Sequence, residues 1–578
     1  MKPRNLCTWL PGAAIACCAL WIIFAYSTGA PYADEWGTPG AFLTKMVEEG
    51  VTFQDWIAQH NESRKLIPRL LFSAAAFTVG WDPRMFMILS WVLAAGTLVF
   101  FSSLCLPACG TAPGKYAGRA LMITVTAAIL FSPMQSVNQI WGIQFICYVP
   151  PFCLALSLWF AALTGPFSRA ILIAALCSFI ATFTFANGLL LWALAFPWKR
   201  FFQCDGATPS DRPRQVLLPA LIYAVMAGAA ICLYFVGYVK PPYHPPLTYA
   251  LGHLAQSFEY FLLWVGTPLS GGLPSALVPG AGVVVLIGLV AFSMSTIARY
   301  TGRRDVYQIP DAACAAAAFA AYGLASGLIT TAGRAGLGAE QAMASRYVTF
   351  SEYILLGILS LAWVRLACKK EAAPRRCAAS IAISIASVML VIAIGAGWVI
   401  SLKPLRDRHA HMRQNLLTLR MTSLIPANPM CKLLYLAPPS ITTHSARVLR
   451  AHNILHFDDF KWLMDAIKNP AGDNGGWFSV TAPSTTNLAI TGWAMNPQTG
   501  RPADFVVIAR ISTNNIPEII TALLTGAARP DVAKYLKNPL LGRTGFIMNL
   551  GSQGDESGIK AFAVDERTHR AYSLKPEG

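Results

Sequence analysis

Pro31–Leu71, PYADEWGTPGAFLTKMVEEGVTFQDWIAQHNESRKLIPRLL, decides how the rest of this chain is threaded. It follows an apolar run at 9–29 and holds six carboxylates, from Asp34 to Glu62, with His60, Arg64 and Arg69. Two short amphipathic helical stretches are expected within it, at about 40–49 and 53–60. The apolar run Leu66–Gly80 comes next. A membrane-crossing helix needs about 20 mostly apolar residues. This run carries Arg69 near its start, stops at Trp81, and is too short. It is therefore expected to lie on the membrane surface and to end a polar loop at 30–82. A plain connector needs only a few residues, so a loop of this size with acidic, His and Arg groups asks for a function.

That reading sets the parity of everything downstream. Spans are expected near 9–29, 84–106, 119–133, 143–164, 169–186, 188–198, 216–238, 276–298, 309–331, 347–367 and 378–401. The run at 188–198 is short and shares the Asn187-Gly188 turn with the span before it. The stretch 254–270 is a further apolar run, interrupted by Pro268 and Gly271-Gly272. With Met1 inside, alternation gathers Lys2/Arg4, Lys115/Arg119, Arg169, Lys199/Arg200/Arg212/Arg214, Arg299/Arg303/Arg304 and Lys369/Lys370/Arg375/Arg376 on one face. That is the positive-inside pattern. If Leu66–Gly80 crossed, every later cluster would face outward. About eleven spans, an odd number, place the C-terminal part outside. The expected setting is a bacterial inner membrane, with the N-terminus cytoplasmic and the C-terminal domain periplasmic.

Composition agrees with a membrane domain followed by a soluble one. Apolar residues make up 55% and charged residues 13%, and the mean hydropathy is +0.48. Only 15 of the 28 acidic residues precede Ser401, and the other 13 follow it. The expected domains are 1–401, 402–476 and 477–578. The net charge of +17 lies in short loops between apolar runs, as topology requires, and no basic nucleic-acid motif accompanies it. Nucleic acid is excluded as a partner; the lipid bilayer is the first one. The apolar Leu6–Ser27 after Lys2 and Arg4 reads as a retained signal-anchor. Of the 14 cysteines only Cys431 lies in the C-terminal part, which leaves that part without an internal disulfide. Neither a G-x-x-x-x-G-K-[ST] loop nor C-x-x-C, H-E-x-x-H or G-x-S-x-G occurs, so nucleotide-dependent chemistry is not expected.

The outside segments collect the polar chemistry. Asp34-Glu35-Trp36 opens the first loop, and His60-Asn61-Glu62-Ser63-Arg64 and Pro68-Arg69 close it. Gln135, Asn138, Trp141 and Gln144 lie between two spans, and Asn187 sits in a later turn. Lys240, Tyr243 and His244 stand among prolines, and Arg334, Glu340, Arg346 and Tyr347 flank a late loop. The inner face is merely basic.

An acidic pair directly after the first span, surface helices, a basic-Pro element (Arg64-Lys65…Pro68-Arg69), a short apolar helix and then the second span resemble the GT-C glycosyltransferases. These are integral-membrane enzymes that use polyprenyl-phosphate sugars, and the order is similar to their arabinose- and mannose-transferring branch over roughly residues 1–401. The sequence Lys-Pro-Pro-Leu usual there is absent; Leu66-Ile67-Pro68-Arg69 stands in its place. The resemblance implies inverting transfer of a sugar onto a cell-envelope glycan or lipid. Such transfer needs a carboxylate near the acceptor hydroxyl and stabilisation of a departing phosphate. Asp34, then Glu35, are the candidate catalytic carboxylates, although capping and solvation of a span end would use the same residues. Arg64, Arg69, Arg334 and Arg346 are candidates for the lipid phosphate, which guanidinium groups pair bidentately; snorkelling to headgroups is the alternative. His60, Asn61, Glu62, Gln135, Asn138, Gln144 and Tyr347 are candidates for acceptor or sugar. His60 with Glu62 could also belong to a divalent-metal site, but one His beside one Glu is an incomplete ligand set. No cofactor is otherwise implied.

After Ser401, Leu405–Met421, Arg447–Leu455 and Asp459–Lys468 read as helices. From Trp477 the pattern becomes short strands: FSVTA, LAITGWAM, DFVVIARIS, GFIMNL, IKAFAVD and AYSL, separated by Gly, Asn and Pro. That spacing predicts a β-sandwich-like domain, which could bind glycan or serve in packing. The fold class is thus mainly α, polytopic and transmembrane, with a C-terminal β-domain outside. Three other functions remain open: a flippase or transporter of lipid-linked glycans, a glycan polymerase or ligase, and a membrane anchor without catalysis. A transporter would show charge at mid-membrane and paired broken helices.

Overall fold

The computed structural model describes residues 7–106, 115–164, 166–202, 213–271, 273–301, 310–367, 373–425, 439–458, 460–484, 487–511, 516–551 and 558–577. Lys2, Arg4, Arg212, Arg303, Arg304, Lys369, Lys370 and Cys431 lie outside the described residues. The chain forms two compact units, Met1–Ser27 with Val51–Leu71 and Pro83–Asp407, and Thr28–Gly50 with Phe72–Asp82 and Arg408–Gly578.

The first unit is helical. Among the described residues of the chain, eight helices are long and apolar enough to cross a membrane, and Leu10–Tyr26, Leu66–Thr78 and Phe167–Thr182 are shorter apolar helices. This is a multi-pass membrane protein. Leu221, Val225, Val284 and Ile287 are exposed large apolar side chains on two of the long helices, as lipid-facing helices require. The helices Asp311–Arg334 and Ser345–Ala367 approach closely through small residues. A methyl at Gly323 would stand 2.7 Å from Ile354 Cγ1, and one at Gly357 2.6 Å from Ala320 Cβ. Small residues at such a crossing let the backbones meet without a hydrophobic driving force. This pair brings Arg334, at the end of one helix, near Arg346, at the start of the next.

Two expectations need correction. The run at 188–198 is no continuous helix: it comprises a 3-10 turn at Ala186–Leu190, a short helix at Leu191–Leu194, and a new helix only at Trp198–Phe202. Asn187-Gly188 and Pro197 interrupt the ladder. A Cβ at Gly188 would run into the Ala181 backbone, so the chain doubles back on the preceding helix there. The last span and the basic helix expected at Leu405–Met421 form one helix, Ala373–Arg420, although a proline stands between them. Pro404 lies inside it.

The second unit holds two β-sheets. Strands β1 (Gln59–His60) and β2 (Ser63–Arg64) form a separate hairpin in the first unit. The C-terminal strands are β3 (Gly476–Ser484), β4 (Asn487–Asn496), β5 (Arg501–Pro502), β6 (Phe505–Ile511), β7 (Pro517–Leu524), β8 (Gly545–Gly551), β9 (Ile559–Asp565), β10 (Arg570–Ser573) and β11 (Lys575–Pro576). One sheet runs β10-β9-β6-β7; in the other β11-β3-β4-β5 are joined by β8 on β4. All six strands predicted from sequence are present, and β7 (PEIITALL) is an addition. Strand β6 explains the apolar run FVVIA. Val506 and Ile508 enter the core between the sheets with Phe478, Ile490 and Phe546. Phe505, Val507 and Ala509 pack on the opposite face against Leu417, Met421, Phe460, Leu463 and Ile467. A strand buried on both faces loses the alternation of a half-buried one. Part of the region expected as a linker (402–476) therefore supplies a third layer.

Candidate functional site

The polar elements of the first unit converge on the β1–β2 hairpin. His60 pairs with Ser63 and Gln59 with Arg64, so Asn61 and Glu62 form its tip. Asn61 adopts a left-handed backbone, φ 52°, a conformation Asn tolerates better than most residues. The hairpin is fastened to the end of the helix Leu218–Phe235. Arg64 donates through Nε to the Tyr234 carbonyl at 2.6 Å and through Nη1 to the Ile57 carbonyl at 2.8 Å, and also to the Val236 carbonyl. A guanidinium at a helix C-terminus satisfies carbonyls that lack intrahelical donors. The Gln59 side chain both donates to the Val239 carbonyl and accepts from its N–H, at 2.6 and 3.0 Å. Tyr234 Oη donates to the Glu62 carbonyl at 2.6 Å, and Tyr243 Oη to Asn61 Oδ1 at 2.8 Å. Arg69 donates to the Trp56 and Ala58 carbonyls at 3.0 and 2.5 Å. Arg64 and Arg69, expected at a phosphate, donate to backbone carbonyls, Arg64 to a later helix end and to the loop, Arg69 within the loop.

Arg334 and Arg346 are placed differently. Arg334 Nη2 lies 3.2 Å from Glu62 Oε1. Glu62 Oε2 and Arg346 Nε are buried without a hydrogen-bond partner among the described residues. Arg346 stands over the Tyr347 ring, 5.1 Å from its centre. His244 joins this group: burial first, then Arg334, Lys240 and Arg346, lower its pKa against the opposing pull of Glu62. Among the described residues, the charges acting on His244 are three cations, Arg334, Arg346 and Lys240, and the carboxylate of Glu62. A surplus of guanidinium charge suits an anion with several oxygens. His60 is neutral here: burial, then Lys65 and Arg69, lower its pKa to about 2. A neutral imidazole can accept a proton or a hydrogen bond. Among the described residues no group of three or more His, Cys, Asp or Glu could hold a metal ion.

Gln135 and Asn138 are fully buried; Gln135 and the Asn138 amide nitrogen bond protein partners, while Asn138 Oδ1 is buried without one among the described residues. Asn138 donates to the Arg346 carbonyl at 2.9 Å and to Thr349 Oγ1 at 2.7 Å. Gln135 accepts from Thr349 and Tyr148 and donates to Glu352 at 3.2 Å. This lattice fixes the first turns of Ser345–Ala367, and with them the backbone of Arg346 and Tyr347. Gln144 accepts from the Cys147 thiol at 3.1 Å. Glu352 escaped the sequence reading. It is 1% exposed, and its signal was a lone acid inside the apolar run YVTFSEYILLGIL.

Asp34 and Glu35 belong to the second unit. Glu35 is 1% exposed and accepts the Tyr32 amide on Oε2 at 2.8 Å, while Asp34 is half-buried. Ala33, directly before them, has φ 48°, an unfavourable value for a residue with a Cβ. Trp36 and Trp81 pack edge to face, 5.9 Å apart, and Trp81 donates its amide to the Ile454 carbonyl at 2.7 Å. The acidic pair thus sits in a well-packed segment.

No protein-family model, curated protein or solved structure matches this chain.

Proposed function

We propose that this chain is a membrane glycosyltransferase that moves a sugar from a polyprenyl-phosphate donor onto a cell-envelope glycan or lipid. The observation that carries the reading is the surplus of guanidinium charge around Glu62, where Glu62 Oε2 and Arg346 Nε are buried without a hydrogen-bond partner among the described residues. In this reading both arginines take the lipid phosphate, and stabilise it as it leaves. Glu62 orients Arg334, and the Gln135–Asn138–Thr349 lattice orients Arg346. Asp34 is the carboxylate that assists the acceptor hydroxyl, with Glu35 second; their place in the sequence order supports this role. Tyr347, His60 and Asn61 are the candidates for sugar or acceptor. The extracytoplasmic face is the proposed side, with the C-terminal β-domain there.

Glu352 favours a second reading, transport of a lipid-linked glycan, because a buried carboxylate inside a span is costly and commonly functional. A transfer assay separates the two. Purified protein in lipid is mixed with radiolabelled polyprenyl-phosphate sugars and an envelope-glycan extract. Labelled glycan supports transfer. Absence of labelled product from every donor, together with movement of donor across the vesicle membrane, would establish transport instead.

A further inference from the structure

The segment Lys240–Pro246, KPPYHPP, follows the helix Leu218–Phe235 and carries His244 among prolines. Proline fixes its own φ and restricts the residue before it, so the backbone at His244 has little freedom to lose. Two contacts clamp the segment. Tyr243 Oη donates to Asn61 Oδ1 at 2.8 Å, at the hairpin tip directly before Glu62. Pro245 packs on the turn that follows Arg334: a methyl at Gly336 would stand 2.9 Å from its Cβ and Cγ. His244 is thereby held between the hairpin tip and the end of Asp311–Arg334.

The main chain of His244 is satisfied within the segment. Its amide donates to the Pro241 carbonyl at 3.1 Å, and its carbonyl accepts from Lys240 Nζ at 3.0 Å. The imidazole lies edge to face on the Tyr243 ring, with centres 4.6 Å apart. Its Nε2 is buried without a hydrogen-bond partner among the described residues, as is Arg346 Nε. Buried polar atoms are nearly always paired, and two N–H donors in one charged group suit the oxygens of one anion. The charged groups facing the imidazole are Arg334 and Arg346 from two helix ends, Glu62 from the hairpin and Lys240 from its own segment. Glu62 already meets Arg334. The cations hold the imidazole neutral; an anion seated on them brings negative charge beside it, and opposite charge favours the protonated form.

We propose that His244 is a ligand of the lipid phosphate, donating from Nε2 to a phosphate oxygen and taking up a proton as the phosphate binds. The inference rests on the reading of Arg334 and Arg346 as a phosphate site, and adds to it a residue and a proton.

Calorimetric titration of the full chain in detergent micelles with farnesyl phosphate tests it. Run at about pH 6.5, the ordinary histidine value, in buffers of different ionisation enthalpy, it counts the protons taken up on binding. Wild type is expected to take up on the order of half a proton more than His244→Gln, whose amide keeps an N–H but does not titrate. The phosphate's own second proton, with a pKa of about 6, is common to both proteins and cancels in the difference. His244→Leu, which removes the donor, should weaken binding by about tenfold or more, while His244→Gln loses less. Thermal unfolding identifies the folded variants, and the His244→Gln comparison decides alone should His244→Leu fail to fold. Equal proton uptake by wild type and His244→Gln, or undiminished binding by folded His244→Leu, would overturn the role of His244 and leave the phosphate site standing. No binding of farnesyl phosphate by wild type would overturn both.

Discussion

Arg334 Nη2 stands 3.2 Å from Glu62 Oε1, joining residues 272 positions apart. Glu62 is at the tip of a hairpin held by Arg64, and Arg334 ends a long membrane helix. Both side chains are partly exposed, at 19% for Arg334 and 29% for Glu62, so as a source of stability the pair is modest. Its consequence is placement of a guanidinium.

Glu62→Gln should therefore separate activity from folding. Loss of the charge that orients Arg334 is expected to lower sugar transfer by on the order of 100-fold. The unfolding free energy should move by less than about 1 kcal/mol. Rates and thermal unfolding measured on one preparation check this; equal transfer by variant and wild type would remove Glu62 from the account.

Arg64→Lys should show the opposite pattern. Three backbone carbonyls accept from the Arg64 guanidinium, and an ammonium cannot reproduce that fork. A loss of about 2–3 kcal/mol is expected, read from denaturant unfolding. The donor KM of the folded fraction should stay unchanged, because the Arg64 guanidinium is engaged by backbone carbonyls.

Glu352 is buried in a span with Gln135 as its donor and no cation beside it among the described residues. Glu352→Gln keeps the shape and removes a costly buried acid, so stability is expected to hold or rise. Gln135→Leu leaves the carboxylate without that donor and should cost about 3 kcal/mol. Thermal unfolding of both variants provides the check. If Glu352→Gln abolishes vesicle transport while leaving the fold intact, the transport reading gains what the transferase reading loses.

His60 makes stability depend on pH in a stated direction. Burial, then Lys65 and Arg69, bring its pKa from the ordinary 6.5 to about 2. Above pH 6.5 neither the folded nor the unfolded chain protonates it, and it contributes no slope. Below that, the unfolded chain takes up a proton that the folded chain refuses. Stability then falls with falling pH, by up to about 1.4 kcal/mol per unit. Unfolding of wild type and His60→Gln at pH 7.5, 6.0 and 5.0 should show a steeper decline in wild type; parallel curves would contradict it.

The architecture was legible in the sequence where periodicity and charge speak locally. The apolar helices, the short Leu66–Thr78 helix and six strands all carried such signals. The failures came where one element depends on another. The run at 188–198 is apolar enough to cross, but Asn187-Gly188 turns it back against Ala181. The FVVIA run of β6 could not disclose that helices after Ser401 cover its second face. At the candidate site, the sequence shows the residue types and only the fold shows their partners. Arg64 and Arg69 resemble Arg334 and Arg346 in the sequence, yet only the fold shows which guanidinium groups meet backbone carbonyls. For Gln135 and Asn138, polar residues at a loop mouth, no local pattern discloses the contacts with Thr349 and Glu352 that the fold makes. The hairpin that presents Glu62 is only four paired residues, too short for alternation to register.

The central claim is that Arg334 and Arg346 stabilise a departing lipid phosphate. Single-turnover transfer from a labelled polyprenyl-phosphate sugar, comparing wild type with Arg334→Gln and Arg346→Gln, tests it most directly. The account predicts labelled glycan from wild type and a loss on the order of 100-fold or more in each variant, with both variants folded. Transfer at the wild-type rate by either folded variant, or no transfer by wild type from any such donor, would contradict it.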